Sequence, residues 1–574
     1  MTRTLVLLAC LTVVVAGCSS QPAPTATTPP TVARPSHTPP PTATAVVTPT
    51  VEAQTPQGEP LPSERGKLFS GSGACAGCHT GMVDEGGNDV SIDRLWRSTL
   101  MANAARDPYW QASVRAEVSL RPEIRPEIES SCSRCHMPMG HVTAQTEGED
   151  PAVLDEGFLR EDHPLHTLAM DGVSCALCHQ IREDGLGLPD SYNGGFVIDT
   201  ETPAGGRLNF GPFTIDEAQS ALMQGASGYL PVQGLHLSRS EMCATCHTLY
   251  TPILDAQGEV VGEFPEQVPY LEWFYSSYRN SAACQDCHMP EAEGGVRISA
   301  TSTNLRSPVS RHDIVGGNVY LLEMLKTFGV EIGVTASSEQ FDDTIQATLA
   351  LLQQQTATVA LEEIKLVGDY LSAEVVIENN AGHKFPTSFP SRRAWLHISV
   401  EDAGGKVLFE SGGVNPDGSI TGNDNDLDPG AFEQHYQAIV QPEQVQIYEA
   451  ILKDTEEDVT TSVLSAAGFF KDNRLLPWGF EKSAPYEDIM VRGEAREDGD
   501  FDEGGDRVGL ALRLPSAQAP LTLQVELLYQ PIGYRWAENL RTIDGPEVER
   551  FLEYYDSLPN TPVVIANASQ VIER

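Results

Sequence analysis

Asp171-Gly-Val-Ser-Cys-Ala-Leu-Cys-His179 ends in the pattern Cys-x-x-Cys-His, and the pattern occurs four more times: Cys75-Ala-Gly-Cys78-His79, Cys132-Ser-Arg-Cys135-His136, Cys243-Ala-Thr-Cys246-His247 and Cys284-Gln-Asp-Cys287-His288. This is the attachment signature of c-type heme. One turn of chain sets two thiols opposite the two vinyl groups, and the next residue aims its imidazole at the iron. A single copy would also suit half a zinc ribbon or a redox-active dithiol. A zinc site would have to recruit further ligands, however, and a catalytic dithiol would appear once. The five copies use every cysteine of the folded region; the other two of the twelve are Cys10 and Cys18. The reading is therefore five covalently attached heme c groups, with no cysteine left for a disulfide.

The motifs fall between Cys75 and His288, about forty residues for each, too few to wrap every heme in a core of its own. The hemes must then supply much of the core and pack within electron-tunnelling range. His79, His136, His179, His247 and His288 are the expected iron ligands on one side. The other side of each iron needs a second ligand for electron transfer, or stays open for substrate chemistry. Outside the motifs stand His141, His163, His166, His236, His312, His383, His397 and His435. His163 and His166 (in His-Pro-Leu-His), His236 and His312 have loop or pre-helix settings that free the ring, so they are candidate second ligands. His141, close behind His136, could serve only a neighbouring heme. His397 lies in a strand-like alternation that places Leu396 and Ile398 inward and His397 on the polar face.

Residues 1–17 have a short basic start and an apolar run too short to span a bilayer, the proportions of a signal segment. Val15-Ala16-Gly17-Cys18 matches a lipobox, which makes Cys18 the expected lipidation site; a plain secretory signal is the alternative. Residues 18–60 form a Pro/Thr/Ala tether that cannot bury enough apolar surface to fold. At about 3.1 Å per residue it would reach roughly 100 Å or more. Lys plus Arg number 37 against 80 Asp plus Glu, a formal charge of -43. That excludes nucleic acid as a partner, because phosphate binding needs a positive stripe. It suits basic redox partner proteins, or serves solubility alone. The expected location is outside the cytoplasmic membrane, anchored by lipid.

After His288 the composition changes. Helical patterns cover 319–328, 340–355 and 547–555. In Leu371-Ser-Ala-Glu-Val-Val-Ile-Glu378 and Leu521-Thr-Leu-Gln-Val-Glu-Leu527 apolar residues alternate, as in half-buried strands. The fold class expected is α+β and multidomain: a loop-rich, mainly helical pentaheme domain (61–356), a β-sandwich of immunoglobulin-like type (357–535), and a C-terminal helix and tail (536–574). Asn423-Asp-Asn-Asp-Leu-Asp428 and Asp498-Gly-Asp-Phe-Asp-Glu503 present alternating carboxylates. Such loops either bind Ca2+ or are solvated acidic turns, and neither has the glycine that an EF-hand requires.

The stretches Met101-Ala-Asn-Ala-Ala-Arg-Asp-Pro-Tyr-Trp110, Asp171–His179 and Ser240-Glu-Met-Cys-Ala-Thr-Cys-His-Thr-Leu-Tyr250 resemble exported multiheme cytochromes of the c-552/4 type, distantly related to hydroxylamine oxidoreductase. So do Gly382-His383-Lys-Phe-Pro-Thr387, Arg392-Arg-Ala-Trp395 and Lys471-Asp-Asn-Arg474 in the second half. The resemblance implies electron transfer and strengthens His312 and His383 as second iron ligands. It names no substrate. The Cys-x-x-Cys-Lys motif of the pentaheme nitrite reductases is missing, which weakens that activity. The first expectation is therefore an electron-transfer protein. The alternative is a heme oxidoreductase with one open iron that acts on a small nitrogen or sulfur compound.

Overall fold

Each Cys-x-x-Cys-His stretch folds as a helical turn or at a helix end. The helical segments are Gly73–Ala76, Arg125–His136, Cys175–Cys178, Ser240–Ala244 and Cys284–His288. The amides of His79, His179 and His247 bond back to the carbonyls of Cys75, Cys175 and Cys243, at 3.1, 3.1 and 3.0 Å. This is the i to i−4 bond that makes a turn of helix. The computed structural model describes residues 55–255, 257–483, 486–515 and 518–573. The signal segment, Cys18 and most of the tether lie outside them. Among the described residues no helix is long and apolar enough to cross a membrane.

The longer helices have identifiable caps. In α1, Pro108–Leu120, the Asp107 carboxylate accepts bonds from the amides of Tyr109 and Trp110, and Pro108 takes the first position, where no amide bond is needed. The helix α4, Val319–Thr327, starts where the Asn318 side chain accepts from Leu321 N. The next, α5, Ser338–Leu351, has a capping box between Ser337 and Gln340. Between α1 and α4 lie α2, Arg125–His136, and α3, Pro269–Phe274. Two further helices, α6, Tyr534–Leu540, and α7, Pro546–Ser557, follow the β-rich region.

The second half is built on two sheets. One pairs β1, Ala357–Val367, with β2, Tyr370–Asn379, and β2 with β5, Gly505–Arg513; Ala438–Ile439 runs parallel to β5 at the edge. The other sets β3, Arg393–Glu401, beside β6, Leu521–Gln530, and β6 beside β7, Val563–Ile572. A shorter strand, β4, Gly468–Asp472, pairs with Ala450–Lys453 in a separate small sheet. On β2 the inward residues are Leu371, Ala373, Val375 and Ile377, the alternation expected from the sequence. They meet Leu396, Ile398, Val525 and Leu527 of the other sheet in one apolar core. The fold is thus mixed α+β.

Two parts differ from the sequence reading. Val563–Ile572, expected as a tail, is a ten-residue strand on β6, in register from Leu521↔Ile572. Much of its outward face is exposed, so pairing rather than an apolar pattern fixes it there. The helix expected over 340–355 ends at Leu351 and continues as a wider π turn over Leu352–Thr356. The C-terminal helices also return to the first half. Val548, Phe551 and Tyr554 of α7 share a core with Tyr109, Ala112 and Ala116 of α1. The Tyr109 and Phe551 rings lie 5.2 Å apart, and Arg115 Nε reaches Glu547 at 2.7 Å.

Candidate functional site

One cavity of about 1970 Å³ runs through the first half and reaches the β-rich region. All five motifs contribute to its wall, each with at least one cysteine and its histidine. Apolar side chains such as Leu100, Val114, Ile298, Leu321 and Leu352 fill the rest of the wall. Thiols of separate motifs are neighbours: Cys75 lies beside Cys175, Cys135 beside Cys246, and Cys243 beside Cys284, each close enough to shift its partner's titration. The motifs are thus neighbours in the order first, third, fourth, fifth, with Cys178 near Cys246 and the second motif joining at the fourth.

Four motif histidines share one hydrogen-bond arrangement. The Nδ1–H of His79, His136, His179 and His288 donates to the carbonyls of Ile298, Ala104, Phe210 and Val315, at 2.6, 3.1, 2.6 and 2.6 Å. A carbonyl can only accept, so Nδ1 carries the proton and the bare Nε2 is left for a metal. Burial also keeps these rings neutral: it pushes His136 and His247 down to about 4 and lowers His79, His179 and His288.

Two candidate second ligands line the cavity. The His312 ring faces His179 at 6.5 Å between centres and 16° between planes. The His383 ring faces His288 at 6.2 Å and 11°. An imidazole nitrogen lies about 2 Å from a bound metal and about 1 Å from its own ring centre, so two rings across one iron stand about 6 Å apart. Both pairs have that spacing. Burial pushes His312 down to about 3 and lowers His383, so both are neutral. The cysteine pairs, apolar wall, bare Nε2 atoms and facing rings together fit heme c. His312 follows the fifth motif in sequence, yet the chain folds it against the third.

The other candidates have different surroundings. His236 donates from Nε2 to the Ile181 carbonyl at 2.8 Å, and its ring rests against Phe210. His166 donates from Nδ1 to Phe158 O at 2.8 Å, while His163 accepts from Leu165 N at 3.1 Å. His141 is buried on Ser133 Oγ at 2.9 Å. None of these four lines the cavity. His397 sits between Glu526 and Glu410, at 3.1 Å from each, on the outer face of β3.

Neither acidic loop is arranged for Ca2+. In the first, Asp426 Oδ1 accepts from Arg393 at 2.7 Å and Oδ2 from Ile420 N at 2.8 Å, so a buried guanidinium takes the place of a metal ion. In the second, Lys482 Nζ is held by the carbonyls of Asp498 and Phe501. His435, Asp498 and Asp506 do converge nearby. Gln446 and Asn473 have their side-chain carbonyls fixed by Tyr436 N and Glu449 N, so each turns its NH2 toward His435 Nδ1. Nδ1 is therefore bare, and Nε2–H donates to Asp498 at 3.1 Å. The cluster is a closed hydrogen-bond network.

Sequence reasoning missed a buried group of charges beside His383. Lys384 Nζ lies 2.7 Å from Asp472, Arg474 chelates Asp472 through Nε and Nη2 at 2.8 Å each, and Arg474 Nη1 stands 3.0 Å from Glu272 Oε1. The last is a charge contact rather than an aligned hydrogen bond, because Glu272 Oε1 has no such bond. Burial alone would raise Asp472, but Arg474 and Lys384 hold its carboxyl well below the usual range. A signal did exist in the sequence, since three of the four stand in stretches quoted for the resemblance.

No family model matches the chain, and no curated protein matches it. The crystal structure of a penta-heme cytochrome c552 from Thermochromatium tepidum is similar, with 16% identity and a TM-score of 0.48 over 89% of this chain and 100% of that one. A likeness of that strength decides nothing by itself.

Proposed function

We propose that the chain is a multiheme c-type cytochrome that transfers electrons along five covalently bound hemes outside the cytoplasmic membrane. The observation that carries this reading is the meeting of all five Cys-x-x-Cys-His motifs on the wall of one cavity. The ten motif cysteines hold the cofactors by thioether bonds, and the five motif histidines take one side of each iron. Heme supplies reversible one-electron chemistry. With heme bound, His312 would be the second protein ligand beside His179, and His383 the second beside His288. The backbone carbonyls on Nδ1 orient the rings and raise their basicity. The apolar wall keeps water from the cofactors, which limits reorganisation when charge moves.

Residues 357–535 are read as an immunoglobulin-type sandwich that supplies His383, and 61–356 as the pentaheme domain. Lipid on Cys18 anchors the protein, and the acidic surface receives basic redox partner proteins. A second reading, an oxidoreductase with an open iron acting on a small nitrogen or sulfur compound, is favoured by one observation. Among the described residues, His79, His136 and His247 face no second imidazole across the cavity.

Intact-mass spectrometry of the exported protein with a pyridine hemochrome assay tests the main reading. Five heme additions on the motif cysteines and a lipid on Cys18 are expected. Three or fewer hemes from a host with full maturation machinery would sink it, and an unmodified Cys18 would remove the anchor.

A further inference from the structure

His383 occupies its position opposite His288 because its own backbone neighbour is held there. The His383 Nδ1–H donates to the Lys384 carbonyl at 2.8 Å, so the turn of the ring follows the Lys384 peptide. That residue is gripped at two points. Its amide donates to Glu272 Oε2 at 3.2 Å, and its ammonium reaches Asp472 at 2.7 Å. Thr387 Oγ1 donates to the same Glu272 oxygen at 2.5 Å, and the Arg474 guanidinium bridges Asp472 and Glu272. Asn379 Nδ2 fixes the His383 carbonyl at 3.0 Å.

The four charged groups come from three separate stretches of chain. Glu272 stands on α3 in the first half, Lys384 in the loop between β2 and β3, and Asp472 and Arg474 at the end of β4. Lys384 and Glu272 are 0% exposed, and Asp472 is 1%. Two cations and two carboxylates leave the group neutral. Buried charges act at short range with little screening, so removing one leaves an unbalanced charge of known sign. A buried structural knot would only have to hold the halves together. This one is bonded directly to the peptide that orients an iron-facing imidazole.

We propose that Glu272, Lys384, Asp472 and Arg474 are a positioning network for His383, which hold its imidazole opposite His288 and set the electrostatic balance at the iron between them. The proposal rests on the reading of His383 as an axial ligand. Without Glu272 the network carries a net positive charge, which favours the reduced iron. Without Lys384 it carries a net negative charge, which favours the oxidised iron.

The test uses the full exported chain with its five hemes counted by mass. Glu272→Gln, Lys384→Met, the double variant and His383→Ala are compared with the parent by EPR and spectroelectrochemical titration. His383→Ala should convert one low-spin center to high-spin. Glu272→Gln should raise the midpoint of that same center and Lys384→Met should lower it, and the double variant should return toward the parent. Shifts of both single variants in one direction, or no shift in either, overturn the positioning role even where His383→Ala behaves as expected. If His383→Ala matches the parent, the axial reading itself fails, and the network positions no ligand. If a single variant is lost to misfolding, recovery of folded protein in the double variant supports the charge pairing, and loss of the double as well overturns it.

Discussion

The two halves of the chain bury their apolar surface in different ways. In the second half, strands of nine to eleven residues build one continuous core, from Leu371 on β2 to Val525 on β6. In the first half the motif helices have only four or five residues, apart from α2, and the apolar residues form several small clusters around a large cavity. A chain whose sheets supply their own core is stable on its own side chains. A chain whose walls surround a cavity needs something to fill it, because a dry void forfeits the contacts of its lining. On the proposed reading, the difference marks where a cofactor takes the place of a core.

The strongest way to break this comparison is to remove the cofactor. Full-length chain made without heme attachment should lose amide protection across the first half, while β2, β5 and β6 stay protected in hydrogen–deuterium exchange. Equal protection in both halves would mean that the cavity walls stand without heme. A smaller effect should come from the seam between the halves. Phe551→Ala removes a fully buried ring that lies against Tyr109, and should cost about 3–5 kcal/mol in denaturant unfolding. A loss confined to the second half would show that the seam does not couple them.

The smallest effect sharpens the picture on the outer face of β3. Glu526 and Glu410, hydrogen-bonded to His397, raise its pKa above the ordinary value. A raised folded value gives stability that is fully present below the unfolded pKa of about 6.5 and is lost as pH rises through the folded one. The stability gap between the parent and His397→Gln should therefore be widest in mild acid and close on the alkaline side. A gap that does not vary with pH would mean that His397 carries no charge there.

Much of this was legible in the sequence, and the reasons are local. The helix expected at 319–328 and the strand at Leu371 obey short-range periodicity, and both appear. The attachment motifs are contiguous pentapeptides. The partner of each motif-histidine ring was not legible, because it depends on how distant segments meet. His312 lies just past the fifth motif but faces His179 of the third, and His383 crosses from the second half to His288. Gly382, the residue before His383, lies against Trp273 and Tyr278, where an added Cβ would make only ordinary contacts at 3.4–3.5 Å. Lys384, Asp472 and Arg474 are of the types that usually stay in water, so their composition argued against burial. The acidic loops stayed ambiguous for the converse reason: the groups that bond them, Arg393 at the Asp426 carboxylate and Lys482 at the Asp498 and Phe501 carbonyls, come from elsewhere in the chain.

The placement of α6 and α7 has a consequence in time. Trp536 and Asn539 of α6 belong to the cavity wall, and Phe551 of α7 locks that region onto α1. Synthesis runs from the first motif onward, so every Cys-x-x-Cys-His has emerged well before these residues exist. Without α6 and α7 in place, one side of the chamber is missing and the motif thiols on its wall stay open. The last strand, pairing with Leu521–Gln530, closes the sheet after them. The residues that close the chamber thus come after all those that carry its Cys-x-x-Cys-His motifs.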